Sequence, residues 1–177
     1  EDTMPNGADR PRYGQPRGPQ RPGGGGPGQG PRGGGGPPRQ EEAQTIDLSA
    51  VALKAPTAEL FDEVAKAAAK TVSDNRKRNK PSQIRKFFDE LVMWESKLGS
   101  IRDGEERNAR FREYLPFIRM LNAKVAYAEG RELVDKNFQA LVGHCLKQVD
   151  DAATLRAFKL FFEAFLGYYK AFRPSDR

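Results

Sequence analysis

From about residue 57 onward, apolar side chains recur every three or four positions, the spacing that collects them on one side of an α-helix. Residues 58–72 set Leu60, Phe61, Val64 and Ala68 together, with Thr57 after Pro56 as the expected N-cap and Ser73-Asp74-Asn75 as the stop. Ser82 is the expected cap of a second helix, whose stripe is Ile84, Phe87, Phe88, Leu91 and Leu98 and whose end is Gly99. A third helix is expected from near Asp103 to Gly130, with Phe111, Tyr114, Ile118, Leu121 and Val125 on one face. Pro116 should kink it or split it in two, because proline removes an amide donor and crowds the preceding turn. A fourth, over residues 132–148, turns Val134, Phe138, Leu141, Val142, Cys145 and Val149 inward. A fifth, over residues 150–172, repeats Leu155, Phe158, Phe162, Phe165, Tyr169 and Phe172. No stretch sustains period-two alternation of β-branched residues, so the predicted fold class is all-α, a five-helix bundle.

The fifth helix carries more apolar surface than one stripe needs. Phe161, Leu166 and Tyr168 fall off its main face, so it is expected at the centre of the bundle, a neighbouring protein being the other way to cover it. The first 40 residues are a different polymer. They hold most of the glycine and proline, six arginines, no lysine, and Met4 as the one large aliphatic. Such a segment buries too little apolar surface to offset its conformational entropy. Residues 1–44 therefore read as a disordered Gly/Pro/Arg-rich tail and residues 45–177 as a helical domain. Arginines set among glycines, as in Arg12-Tyr13-Gly14 and Arg32-Gly33-Gly34, suit stacking on bases and pairing with phosphates; a plain solubilising extension has the same composition. Gly23 to Gly28 satisfy GxGxxG in form, but neither follow a strand nor open a helix, and carry no weight.

Charge narrows the function classes. The chain's net charge is +6; in the first 40 residues the six Arg exceed Glu1, Asp2 and Asp9 by three, which leaves +3 for residues 41–177. That excess is too small for a uniformly cationic surface, so anion binding must come from local clustering. Cys145 is the sole cysteine, which excludes an internal disulfide and fits a reducing cytoplasm. His144, the sole histidine, is its sequence neighbour and points about 100° away on a helix, unlike a Cys-His catalytic dyad. Asp150-Asp151 suit the positive end of a helix without acid–base work. No enzyme activity, cofactor, metal or small-molecule ligand is expected, nor a membrane span or signal peptide.

The strongest chemical signal is the basic cluster around the second helix: Arg76, Lys77, Arg78, Lys80, Arg85 and Lys86, with no acid among them. Pro81-Ser82 begins a helix there, where free amide groups and the helix dipole also attract phosphate. Arg85 and Lys86 point away from the apolar stripe. Arg112, Arg119 and Lys124 lie on the third helix and Arg131 follows Gly130. Packed beside the second helix, these would extend one basic groove. No motif for reading base edges is present, so contact through phosphate and sugar is expected, independent of sequence and weakened by salt.

Three segments, in order, carry a family resemblance: Ser82-Gln83-Ile84-Arg85-Lys86-Phe87, Leu121 through Arg131 (LNAKVAYAEGR), and Phe162-Glu163-Ala164-Phe165 with Tyr168 to Phe172. Over about residues 57–173 the chain resembles the small subunit of type III-A CRISPR effector (Csm) complexes. The resemblance implies a subunit without nuclease activity, stacked in several copies beside backbone and large subunits, lining a groove for target RNA paired to the guide RNA. It makes Arg85, Lys86, Lys124 and Arg131 the leading contacts, and Glu163 a buried or interface partner for a basic residue. The tail departs from the family pattern. Two rivals remain: a helical protein–protein scaffold, and an RNA chaperone driven by the Arg/Gly-rich tail.

Overall fold

The computed structural model describes residues 45–174; the expectation of a disordered tail over residues 1–44 lies outside them. Among the described residues there is no strand. The all-α reading holds, with the third expected helix divided in two. The elements are a 3-10 helix (Ala58–Phe61), α1 (Glu63–Asp74), α2 (Pro81–Gly99), α3 (Gly104–Arg119), α4 (Leu121–Gly130), α5 (Lys136–Gln148) and α6 (Ala152–Phe172).

Helix α6 is the centre, as its excess apolar girth predicts. It packs against α1, α2, α3 and α5, and buries Leu155, Phe158, Phe161, Phe162, Phe165 and Tyr169. Phe161, off the main stripe, is fully buried because helices lie on more than one side. Rings run down its length: Phe158–Phe162 at 6.0 Å, Phe162–Phe165 at 5.4 Å and Phe165–Tyr169 at 5.8 Å between centroids. Phe138 of α5 and Phe88 of α2 join them at 6.0 and 5.9 Å from Phe162. Such pairs add about 0.5–1.5 kcal/mol each beyond their buried area.

Several boundaries differ from the periodicity. The first expected helix is broken at Asp62 (φ −119°, ψ −91°), which separates the 3-10 turn from α1. Ser82 is not the cap of α2. Pro81 takes the first helical position, where its missing N–H and fixed φ cost nothing, and Lys80 is the extended N-cap. The division of the third helix falls at Met120, one turn past Pro116, where one N–H is shared between the carbonyls of Pro116 and Phe117, both at 3.2 Å. Helix α4 ends on a Schellman turn: Leu133 N donates to Ala128 O (2.9 Å), Glu132 N to Glu129 O (2.8 Å), and Glu132 takes the left-handed position at φ 59°. Helix α5 consequently starts at Lys136, later than the expected residue 132, with Asp135 as its cap accepting from Phe138 N at 2.9 Å.

Residues 45–56 form a strap without regular structure that periodicity does not reveal. Ile46, Val51 and Leu53 are buried, and the backbone is tied to α5. Ile46 N donates to Asn137 (3.0 Å), Leu53 N to Gln148 Oε1 (2.8 Å), and Gln148 Nε2 to Val51 O (2.8 Å).

Candidate functional site

Helix α2 lies antiparallel to the α3–α4 strip, and its register follows from three contacts. Trp94 stacks on Phe117, with centroids 6.0 Å apart and planes 15° apart. One turn back along α2, Glu90 accepts from Lys124 Nζ at 2.6 and 2.7 Å. Just before α2, Asn79 N donates to Leu133 O at 3.0 Å, while Arg78 pairs with Glu132 and lies 3.8 Å from Glu129. Each step back on α2 is thus a step forward on the strip, and Lys86 falls level with Ala126 and Tyr127. Phe117, Met120, Lys124, Tyr127 and Arg131, spaced by three and four, form the solvent side of this seam, and all five are exposed. At ~1.5 Å per residue the row is about 21 Å long.

The structure gathers some of the sequence-predicted cations here and disperses others. Lys86, Lys124 and Arg131 share the seam, and Lys77, Arg78 and Lys80 cluster at its end. Lys77, Lys80 and Lys86 are exposed with no ion pair to any described residue. Lys124 is held by Glu90, and Arg78 is half-buried among carboxylates. Arg85 lies on the other flank of α2, its guanidinium 5.4 Å from the Phe88 ring centroid and 2.7 Å from Asp89. Arg76 turns to the end of α6, donating to Phe172 O at 3.3 Å. Arg119 does not join the groove. It is two residues, about 200°, around α3 from Phe117, and donates to Val149 O at 3.4 Å on the far side. Arg112, seven residues earlier, shares that far side.

The basic loop between α1 and α2 is fixed by groups that periodicity passes over. Arg173 Nη1 donates to the carbonyls of Asn75 (3.2 Å), Arg78 (2.8 Å) and Asn79 (3.0 Å), and Nη2 to Arg76 O (2.7 Å). Asn79 is fully buried in the left-handed region (φ 55°). Its side chain donates to Val72 O at 3.0 Å and accepts from Asp135 N at 2.8 Å. The Tyr169 hydroxyl donates to Asn79 O. Burial raises the Tyr169 phenol above its ordinary pKa, against the lowering pull of Arg173, so it stays protonated as that donor. The signal for Arg173 was its place: it follows Tyr169 by one turn, an arginine closing an aromatic stripe.

The groups set aside as chemistry have structural partners. Cys145 is fully buried and its thiol is pushed far up, which removes the thiolate a nucleophile needs. His144 Nε2 contacts Val51 O at 2.9 Å and helps hold the strap. Asp151 caps α6 reciprocally with Thr154, and Asp150 pairs with Lys54, whose hydrogen bond lowers its pKa. Glu163 does partner a basic residue, Lys159 at 2.6 Å, at the surface; of its two expected settings, buried or interface, the buried one does not hold. No helix of the described residues is long and apolar enough to cross a membrane, and no group of His, Cys, Asp and Glu among them is arranged to hold a metal.

An open row of cations and exposed rings suits a strand-like polyanion better than a small substrate, which needs enclosure. The sequence model of a family described as Csm2 Type III-A matches residues 55–175. No curated protein and no solved structure matches the chain.

Proposed function

Because the chain belongs to the Csm2 Type III-A family, and so is a small subunit of a type III-A CRISPR effector complex, we propose that it holds target RNA, paired to the guide RNA, through the phosphate backbone. In this reading it is non-catalytic, stacks in several copies beside the backbone and large subunits, and leaves cleavage to them in antiviral defence. The observation that carries the reading is the open seam between α2 and α4, with Lys86, Lys124 and Arg131 along it and Lys77 and Lys80 at its end. The cationic part of the row, Lys124 to Arg131, is about 10 Å long at ~1.5 Å per residue, enough to meet neighbouring phosphates of one strand. Phosphate contacts position a strand without reading it, which fits a division of labour in which the guide supplies sequence recognition.

The pairing of Lys124 with Glu90 is no bar to this role. Glu90 is mostly buried while Lys124 is about half exposed; two of the three ammonium N–H groups serve the carboxylate and the third is left for a phosphate on the open side. Arg78 is a reserve contact, released when a phosphate takes the place of Glu132. Arg76, Arg85 and Arg119 are assigned lesser parts, since each points off the seam. The exposed Met93, Phe117, Met120 and Leu133 support a second role in contacts with neighbouring subunits. Residues 1–44 are assigned an accessory, non-specific RNA affinity.

Reconstituted complexes test the reading. Lys86→Glu, Lys124→Glu and Arg131→Glu should each weaken target-RNA binding by a similar factor whatever the guide sequence, with Arg119→Glu near wild type. Unchanged affinity in all three seam variants would instead favour the protein–protein scaffold.

A further inference from the structure

Tyr127 has no part in the fold. The buried positions of α4 are Leu121, Val125 and Ala128; Tyr127 lies off that stripe and is 65% exposed, more than any other large apolar side chain among the described residues. A single exposed ring is ordinary on a protein surface. What sets this one apart is its company. Lys124 precedes it by three residues and Arg131 follows by four, so both flank it on one helix face, and Lys86 of α2 lies level with it in the antiparallel register.

The ring is also held. Arg131 Nη1 donates to the Tyr127 hydroxyl at 3.1 Å, and its guanidinium carbon lies 5.7 Å from the ring centroid. A guanidinium that bonds the hydroxyl at that distance from the centroid sits at the hydroxyl edge of the ring and leaves the faces open. An aromatic face among cations is the arrangement that takes a base by stacking while the charges take the phosphates on either side. We propose that Tyr127 is a stacking platform for an unpaired nucleobase, with the Arg131 guanidinium at its hydroxyl edge placed for the adjoining phosphate. The proposal rests on the reading of the seam as an RNA-backbone site and adds a contact to the base. Stacking uses the π-face that every base has, so this contact is tolerant of sequence.

The test measures the affinity of the full-length chain for two probes of equal length, a single-stranded oligouridine and an abasic ribose-phosphate oligomer. Tyr127→Phe keeps the ring but frees Arg131 and so sets the reference: Tyr127→Ala should bind oligouridine about 10-fold more weakly than Tyr127→Phe, and the abasic strand equally well. Lys86→Glu should weaken both alike. Full oligouridine affinity in Tyr127→Ala, with Lys86→Glu still weak, overturns the stacking platform and leaves the backbone reading standing. An equal loss on both probes in Tyr127→Ala also overturns it, since the residue then acts through the backbone site or the fold. Failure of the wild-type chain to bind oligouridine better than the abasic strand overturns the stacking platform; the backbone reading is judged separately, on paired target in the reconstituted complex.

Discussion

Asn79 joins four elements at one point. Its side chain reaches the end of α1 through Val72 O and the start of α5 through Asp135 N, and its backbone meets Leu133 after α4, Tyr169 of α6 and Arg173 just past it. Asparagine tolerates the left-handed conformation that a β-carbon otherwise makes costly, by about 1–2 kcal/mol. Replacing it with alanine leaves a buried carbonyl and a buried amide unmatched, at about 1 kcal/mol or more each, and adds the backbone strain. Asn79→Ala should therefore lower stability by about 3 kcal/mol, read as a reduced urea midpoint at unchanged slope. Asn79→Gly forfeits the same two bonds without the strain and should fall between it and wild type. Equal losses in the two variants would show that the left-handed backbone costs nothing there. The same residue marks a limit of the sequence. Asn79 stands within a basic run and looks like part of a solvated loop, because nothing in the spacing of apolar residues reports a buried polar junction whose partners lie 7, 56 and 90 positions away.

Helices as units were legible because each buries one continuous stripe, and the stripe residues of α2, α5 and α6 are the ones found inside, except Phe87 and Phe172, which are half-buried against the core. Phe138, Leu141, Val142, Cys145 and Val149 are each 1% exposed or less. Their ends were less legible where the capping residue was not a typical one. Glu132 occupies the left-handed turn after α4, a place glycine prefers, while Gly130 lies two residues earlier inside the helix. Nor could spacing find the strap, which has no period; His144 and Gln148, the α5 side chains that anchor it at Val51 O, read as ordinary polar positions. The start of α6 is the boundary that composition announced, since Asp150-Asp151 precede a long apolar run. Asp151 accepts from Thr154 N at 2.7 Å and completes a reciprocal cap. Asp151→Ala should cost about 1 kcal/mol, a fall of a few degrees in melting temperature. Asp151→Asn, which keeps the hydrogen-bond acceptor, should recover most of it. A neutral alanine variant would mean that α6 is fixed by its aromatic packing alone.

At the scale of the whole molecule, the question is whether net charge or its placement binds RNA. The chain's formal charge of +6 is modest, and the candidate site was legible in the sequence only as a list of cations, because facing depends on register between helices. That register separates Lys86, Lys124 and Arg131, which share the seam, from Arg112 and Arg119, which face away on α3. Equal charge on opposite sides gives a control that composition cannot mimic. Each phosphate contact releases condensed counterions, contributing about 0.7 to 0.9 to the slope of log affinity against log salt concentration. Lys86→Gln with Arg131→Gln should therefore flatten that slope by about 1.4 to 1.8 in target binding by the assembled complex. Arg112→Gln with Arg119→Gln removes the same two charges and should leave the slope near wild type, with the loss of the bond to Val149 O showing in stability instead. If both pairs flatten it equally, the subunit acts as a diffuse cation and the seam has no special standing. If neither does, its cations serve neighbouring proteins and not RNA.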